Sequence, residues 1–486
     1  MVMIPGLPVE FCVLFLGVVL LLADSFFPSM DKRTLAYIAI VWLAAFFLAD
    51  IFLQPTPFCA VPFGFYTTDA LGLFFKQFAL VATILTLILA VEYAPVVERF
   101  IPGSKPGAGL GEFFILPVFT CAGLMWMASA ADFVMIFCSL ELVTISFYIL
   151  VAYMRKSPAS LEAGTKYLIL GALSTGFLVY GITWIYGITG QTGLHGISWA
   201  LKGVPAISQA SQTALLFGIG LVLVAIGFKV AAAPFQFWVP DVYQGAPTPV
   251  TAFLSVGSKA AGFVVLMRVI EPFLAVPTIE ARLIAALQVL AGLTLIYGNL
   301  AAMPQTNLKR LLGYSSIAHA GYLLVGVASV GSPTAGRAIV FYLAGYLLMT
   351  FLAFLVLIPV AKAAGGDDIT DFNGLGRRSP GLALAMLISM LSLAGLPFTA
   401  GFLGKFFIFE AAMREQHYAL VAIGVVSVAC GFYYYLKVVR AMYWQPVPAD
   451  AAPVVAAPLT RFAAAFLAAL ILIIGIFPKP ILQILP

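Results

Sequence analysis

Charge is what this chain has least of. Only 9% of its 486 residues are Asp, Glu, Lys or Arg, where soluble domains carry about 25%. At 63% hydrophobic, a water-soluble fold could not hide so much apolar surface. The net charge of +5 is scattered over loops without a basic cluster, so nothing points to nucleic acid. Cysteine is scarce as well. Cys12, Cys59, Cys121, Cys138 and Cys430 stand alone, with no C-x-x-C pair for a metal knot or a haem. His195, His319 and His417 are equally isolated, and no H-E-x-x-H occurs. The sequence therefore offers no metal site and no obvious site for a redox cofactor. The first apolar run, near Val9, has no basic n-region and no small-residue cleavage site. It reads as a retained helix, not a signal peptide.

What the chain has in abundance is apolar runs long enough to cross a bilayer. They predict an all-α polytopic membrane protein with about fourteen transmembrane helices, roughly over 9–27, 35–54, 70–93, 112–129, 131–154, 163–189, 211–238, 251–274, 281–301, 308–330, 336–361, 380–411, 418–442 and 460–482. Loop charge sets the orientation. Odd-numbered loops carry most of the loop Lys and Arg, among them Lys32, Arg33, Arg155, Lys156, Lys309, Arg310, Arg377 and Arg378. The other side carries only Lys202, Arg282, Arg337, Arg414 and Lys479. The odd side is expected to be cytoplasmic, with both termini on the periplasmic side of a bacterial inner membrane.

Two spans break the pattern. The seventh carries Lys229 and Pro234 in "GFKVAAAPFQFWVPDVYQGAPTPV". The twelfth carries Pro397 and Lys405 in "LSLAGLPFTAGFLGKFFIFEAA". Proline and glycine interrupt both helices, and the two spans lie five apart, so they cross in opposite directions. Matching discontinuous helices mark inverted repeats around a transport site. The pattern predicts a three-helix N-terminal unit over 1–110, two inverted five-helix repeats (spans 4–8 over 111–275, spans 9–13 over 276–445), and a last helix over 446–486. Ordinary proline kinks are the plainer alternative.

Five titratable residues fall near mid-depth on five spans: Glu141, Lys229, Lys259, His319 and Lys405. Each costs about 2.5–3.5 kcal/mol on insertion scales, so five together argue for use. Burial makes an ammonium easier to deprotonate, and a neighbouring carboxylate reverses that. Glu141 and Lys229 approaching and separating would load and release a proton. Lys259 and His319 would carry it laterally, and Lys405 would lead to an exit. The alternatives are a structural Glu141–Lys229 pair, a snorkelling Lys259 and a core histidine at 319. Lys76, Lys166, Lys437 and Arg268 read as snorkelling or helix-capping side chains, and Asp241 as a brace of the turn.

The stretches "FKVAAAPFQFWVPDVYQGAPTPVTAFLSVGSKAAGF", "KRLLGYSSIAHAGYLLVG", "AGLPFTAGFLGKFFIF" and "KYLILGALSTGFLVYGITWIYGITG" closely resemble the antiporter-like membrane subunits of respiratory complex I, most of all their N-type branch. The resemblance runs from about Gly111 to Trp444. It implies a fourteen-helix fold with two inverted repeats, Glu141 and Lys229 as an acid–lysine pair, and Lys259 and His319 on a central hydrophilic axis. Lys405 falls where the M-type subunit and the sodium/proton antiporter D subunit usually carry glutamate, which favours the N type. It further implies a proton-translocating part of an NADH:quinone oxidoreductase, without a redox centre of its own. Flavin, iron–sulfur clusters and quinone are then expected in partner subunits. M-type, K-type and J-type membrane subunits and lipids are the expected partners. A subunit of a multi-subunit sodium/proton antiporter or of a membrane-bound hydrogenase is the alternative, and a passive scaffold a third.

Overall fold

The computed structural model describes residues 9–53, 64–102, 107, 109–202, 208–449, 451–479 and 482. The chain ends, Cys59 and the tips of the second and last predicted spans lie outside these residues. In chain order the helices are α1 (Val9–Phe26), α2 (Arg33–Leu53), α3 (Ala70–Phe100), α4 (Leu110–Ser129), α5 (Phe133–Val151), α6 (Pro158–Thr189), α7 (Leu194–Lys202), α8 (Gln209–Val230), α9 (Trp238–Gly245), α10 (Thr248–Phe253) and α11 (Lys259–Ile270). There follow α12 (Pro277–Ala302), α13 (Leu308–Ala328), α14 (Ala335–Ala364), α15 (Leu375–Arg378), α16 (Pro380–Ala394), α17 (Ala400–Arg414), α18 (Tyr418–Trp444) and α19 (Pro458–Ile476). Among the described residues no strand forms, and three isolated bridges tie loops together.

Local chemistry sets these boundaries. Asp69, Asp132 and Asn307 cap α3, α5 and α13 by accepting from Gly72 N (2.8 Å), Val134 N (2.7 Å) and Arg310 N (3.1 Å). Pro158, Pro277, Pro380 and Pro458 sit in first turns, where their missing N–H costs nothing.

Thirteen segments are long and apolar enough to cross a membrane, α10 to α11 counting as one. The fourteenth crossing is the split pair α16–α17. The predicted count therefore stands, with two boundary corrections. The seventh crossing does not end at 238: α8 stops at Val230, and the separate helix α9 continues to Gly245. Between the tenth- and eleventh-numbered helices, Leu254–Ser258 forms a π-helical turn inside the eighth crossing. Both breaks open with a left-handed residue, Ala231 (φ 66°) and Gly395 (φ 93°), and Pro234 and Pro397 each follow in the non-helical stretch.

The snorkelling readings of Lys76 and Arg268 fail. Lys76 is buried, 3.2 Å from the Glu10 carboxylate and bonded to the Tyr66 hydroxyl. Arg268 grips Asp69 through both terminal nitrogens (2.9 and 2.7 Å) and donates from Nε to Ala128 O at 2.9 Å. This fork fastens α11 to α3 and α4. Asp241 does brace its turn: it pairs with Lys166 (2.7 Å) and Arg310 (2.8 Å), pinning α9 between α6 and α13.

At the centre lies α13, buried along its length except at Arg310. It packs on α12 so closely that a Cβ at Gly298 would stand 2.5 Å from Ala318 N. Gly298→Val is expected to cost about 1–3 kcal/mol by overpacking, read as a lower thermal midpoint of the purified protein. At Gly220 a Cβ meets nothing within 4 Å, so Gly220→Ala should leave that midpoint unchanged.

Candidate functional site

The two broken crossings leave helix-end carbonyls that lipid cannot satisfy. At the first break, Trp238 Nε1 donates to Phe228 O (3.0 Å), Ala232 N turns back to Gly227 O (2.8 Å), and Ala233 N donates to Thr294 Oγ1 on α12 (2.9 Å). At the second break, the ammonium of Lys405 donates to Leu393 O and Ala394 O, both at 2.8 Å. A cation thus closes the negative end of the α16 dipole. The lysines sit on opposite sides of their breaks: Lys229 in the last turn before one, Lys405 in the second turn after the other.

Lys229, Lys259, His319 and Lys405 are 4%, 2%, 1% and 5% exposed. None of them snorkels. Lys229 Nζ donates to Thr144 Oγ1 at 2.5 Å. Glu141, one turn before Thr144 on α5, is half-buried and accepts from Thr175 Oγ1 of α6 at 2.7 Å. Between these threonines lies a small cavity lined by Thr144, Thr175, Ser174 and Lys229, with ≈ 10 Å³ open to a water centre. That is room for about one water. The expected acid–lysine pair is therefore an indirect one: each partner is held by its own threonine. Among the described residues no salt bridge includes Glu141, Lys229, Lys259, His319 or Lys405.

The stem of Lys229 passes over Gly262 of α11, whose absent Cβ would lie 3.5 Å from its Cγ. One turn earlier on α11, directly after the π turn, is Lys259. Such turns recur at functional sites because they re-aim a side chain. Lys259 donates to both the carbonyl and the hydroxyl of Ser316, and its ammonium stands 5.4 Å from the centre of the Tyr346 ring. Tyr346 and Tyr243 hydroxyls reach the same Ser316 Oγ at 2.9 and 3.1 Å.

His319 is satisfied at both nitrogens, Nδ1 by the Tyr342 hydroxyl (2.6 Å) and Nε2 by the Tyr435 hydroxyl (3.1 Å). Tyr435 also bonds Ser315. Tyr322, one turn beyond His319, lies under Lys405 with its ring centre 5.0 Å from Nζ. Ser316, His319 and Tyr322 thus form one stripe on α13, each three residues apart. That stripe spans about 9 Å of helix, with the Lys259 station at one end, His319 midway and the Lys405 station at the other.

The sequence singled out the five ionisable groups but not their neutral neighbours. Thr144 and Thr175 were missed, as were Ser316, Tyr322, Tyr342, Tyr346 and Tyr435. For two of them, Ser316 and Tyr322, a signal existed: "SSIAHAGY" places them three residues either side of His319, on one helix face. Removing a neutral acceptor gives a test of the site. Thr144→Val keeps the shape and leaves the Lys229 ammonium without an acceptor. The expected cost is about 1–3 kcal/mol, seen as a lower thermal midpoint in detergent, while Thr144→Ser should stay near wild type.

Comparison with known proteins agrees with this geometry. Residues 130–431 match the family model described as NADH:quinone oxidoreductase/Mrp antiporter, transmembrane. NADH-quinone oxidoreductase subunit N of Trichlorobacter lovleyi is 42% identical over 475 residues, 96% of this chain and 93% of that one. The subunit of the same name from Moorella thermoacetica is 39% identical over 475 residues, 98% and 96% of the two chains. A chain in the structure of respiratory complex I from Thermus thermophilus with bound aureothin superposes with a TM-score of 0.80 at 32% identity, over 98% of each chain. A buried file of lysines and a histidine, two broken helices and likeness along nearly the whole length lead to one conclusion: this chain belongs to the NADH:quinone oxidoreductase/Mrp antiporter family of membrane subunits.

Proposed function

We propose that this chain is the N-type subunit of an NADH:quinone oxidoreductase and moves protons across the membrane through Glu141, Lys229, Lys259, His319 and Lys405. One observation carries the relay: four buried basic groups in contact with hydroxyls, carbonyls and aromatic rings, with no carboxylate among the described residues in direct contact to fix their charge. A lysine in an ion pair resists deprotonation, whereas one held by neutral acceptors can give up its proton and keep its place. Serine, threonine and tyrosine hydroxyls both donate and accept, so they can hand a proton on. Among the described residues, Gln236 Oε1, in the first break, and Ser258 Oγ, beside Lys259, are buried without a hydrogen-bond partner. Buried polar groups of that kind are hydrated in folded proteins, and water there would complete the path.

The subunit contributes to a translocase while flavin, iron–sulfur clusters and quinone belong to its partners. Glu141 supports the existence of those partners. It lies on the face of α5 that carries Val134 and Ile145, each 52% exposed. A carboxylate facing lipid is costly, so a neighbouring membrane subunit of the M, K or J type covers that face in the assembly. The basic bias of the odd loops supports a bacterial inner membrane with both termini on the periplasmic side. The repeat boundaries follow the same reading, near residues 110, 275 and 445. Lys405, in place of glutamate, weighs against a sodium/proton antiporter subunit.

Lys229→Ala is expected to assemble and to lower coupled proton pumping roughly tenfold or more, since a positioned acid–base group contributes about 10²–10⁴-fold. Lys229→Arg should do the same, because a guanidinium keeps the charge but does not release its proton. Pumping by reconstituted vesicles, followed with a pH-sensitive dye during NADH oxidation, measures both. Normal pumping by either assembled variant sinks the relay assignment.

A further inference from the structure

Away from the relay, α16 and α19 begin side by side at the membrane edge that carries the basic loops. Between them runs a groove of about 660 Å³. Its walls include Leu384 and Ile388 of α16 and Ala465 and Leu472 of α19, and Arg378 and Arg461 stand at its mouth. The alanine-rich face of α19 keeps one wall low, and a Cβ at Gly381 would meet nothing within 4 Å.

Among the described residues no carboxylate pairs with the charge at the mouth. Arg378 donates from Nη1 to Asp371 O (3.1 Å) and from Nη2 to Ala452 O (3.0 Å), both neutral carbonyls, and its Nε is buried without a hydrogen-bond partner among those residues. The Arg461 side chain forms no hydrogen bond or salt bridge among the described residues. Two guanidiniums thus await an anion, and guanidinium matches a phosphate fork well. Below them the walls are apolar. From Arg461 to Leu472 the helix descends about 16 Å, close to one leaflet of a hydrocarbon core about 30 Å thick.

We propose that this groove is a binding site for one anionic phospholipid, with the phosphate between Arg378 and Arg461 and an acyl chain along Leu384, Ile388 and Leu472. Each part of the groove answers a part of that ligand: charge at headgroup level, apolar walls beneath, and a depth of one leaflet. A zwitterionic lipid would bring its own cation to the guanidiniums, and an apolar helix of another subunit would leave them unpaired.

The test uses the intact complex, purified through a tag on this chain, stripped of lipid and returned to phosphatidylglycerol or phosphatidylcholine. Lipid retained on the complex is counted by native mass spectrometry, and the thermal midpoint is followed as each lipid is titrated. Phosphatidylglycerol should stay bound and raise the midpoint, and phosphatidylcholine should do neither. Arg461→Gln should weaken the phosphatidylglycerol response about fivefold, the effect of roughly one surface cation. Ala465→Phe, which fills the groove without touching charge, should abolish it. Neither residue contacts the proposed relay, so pumping should persist in both. Equal retention of the two lipids, or a phosphatidylglycerol response unchanged in both variants, overturns the proposal. So does efficient disulfide capture of another subunit through Ala465→Cys, which would show a protein in the groove.

Discussion

A chain embedded in lipid must satisfy its own backbone, because nothing around it can. That constraint explains both why most of this protein is unbroken helix and what happens where it is not. At each break the freed backbone groups are met from within: at one, the Trp238 indole donates to a carbonyl and Thr294 accepts from the Ala233 N–H, and at the other the Lys405 ammonium donates to two carbonyls. The polar groups needed to make a break tolerable are the groups that make it chemically useful. Site and scaffold have a common origin in the same unsatisfied backbone.

The two breaks share a backbone form but not a wiring. Lys229 leaves its half-helix to meet Thr144 of α5, so its ammonium faces a neighbouring crossing. Lys405 folds back across its own break onto the end of α16. The first lysine is therefore answerable to α5 and α6, which also hold Glu141. The second is answerable to the opposite half of its own broken crossing and to Tyr322. An inverted repeat has kept its shape while its two lysines have taken different electrostatic partners, one a hydroxyl and the other a helix dipole.

Much of this was legible in the sequence, and the limits have physical reasons. Apolar run length fixes crossings because bilayer thickness is constant, so the fourteen spans came through. Lys229, Lys259, His319 and Lys405 were legible because ionisable residues are rare at such depth. The end of the seventh crossing was misjudged because Trp238–Gly245 is short and rich in polar and turn-forming residues, and its helix is held by tertiary contacts, the Asp241 pairs with Lys166 and Arg310 among them, that no local pattern shows. Lys76 was misread because its partner, Glu10, is sixty-six residues away in the chain. Thr144, Thr175, Tyr342, Tyr346 and Tyr435 were invisible for a plainer reason: neutral hydroxyls are common in membrane helices, and only packing shows which ones meet a charge.

The stripe on α13 has a mechanical consequence. Ser316, His319 and Tyr322 ride on one continuous, deeply buried helix, so the spacing of the groups they touch is set by helical pitch. Such a helix works as a ruler. If protons pass along it as proposed, any gate has to come from the sides, from Tyr342 or Tyr435 or from a lysine leaving its acceptor, that is, from α11, α14, α17 or α18, which carry those groups.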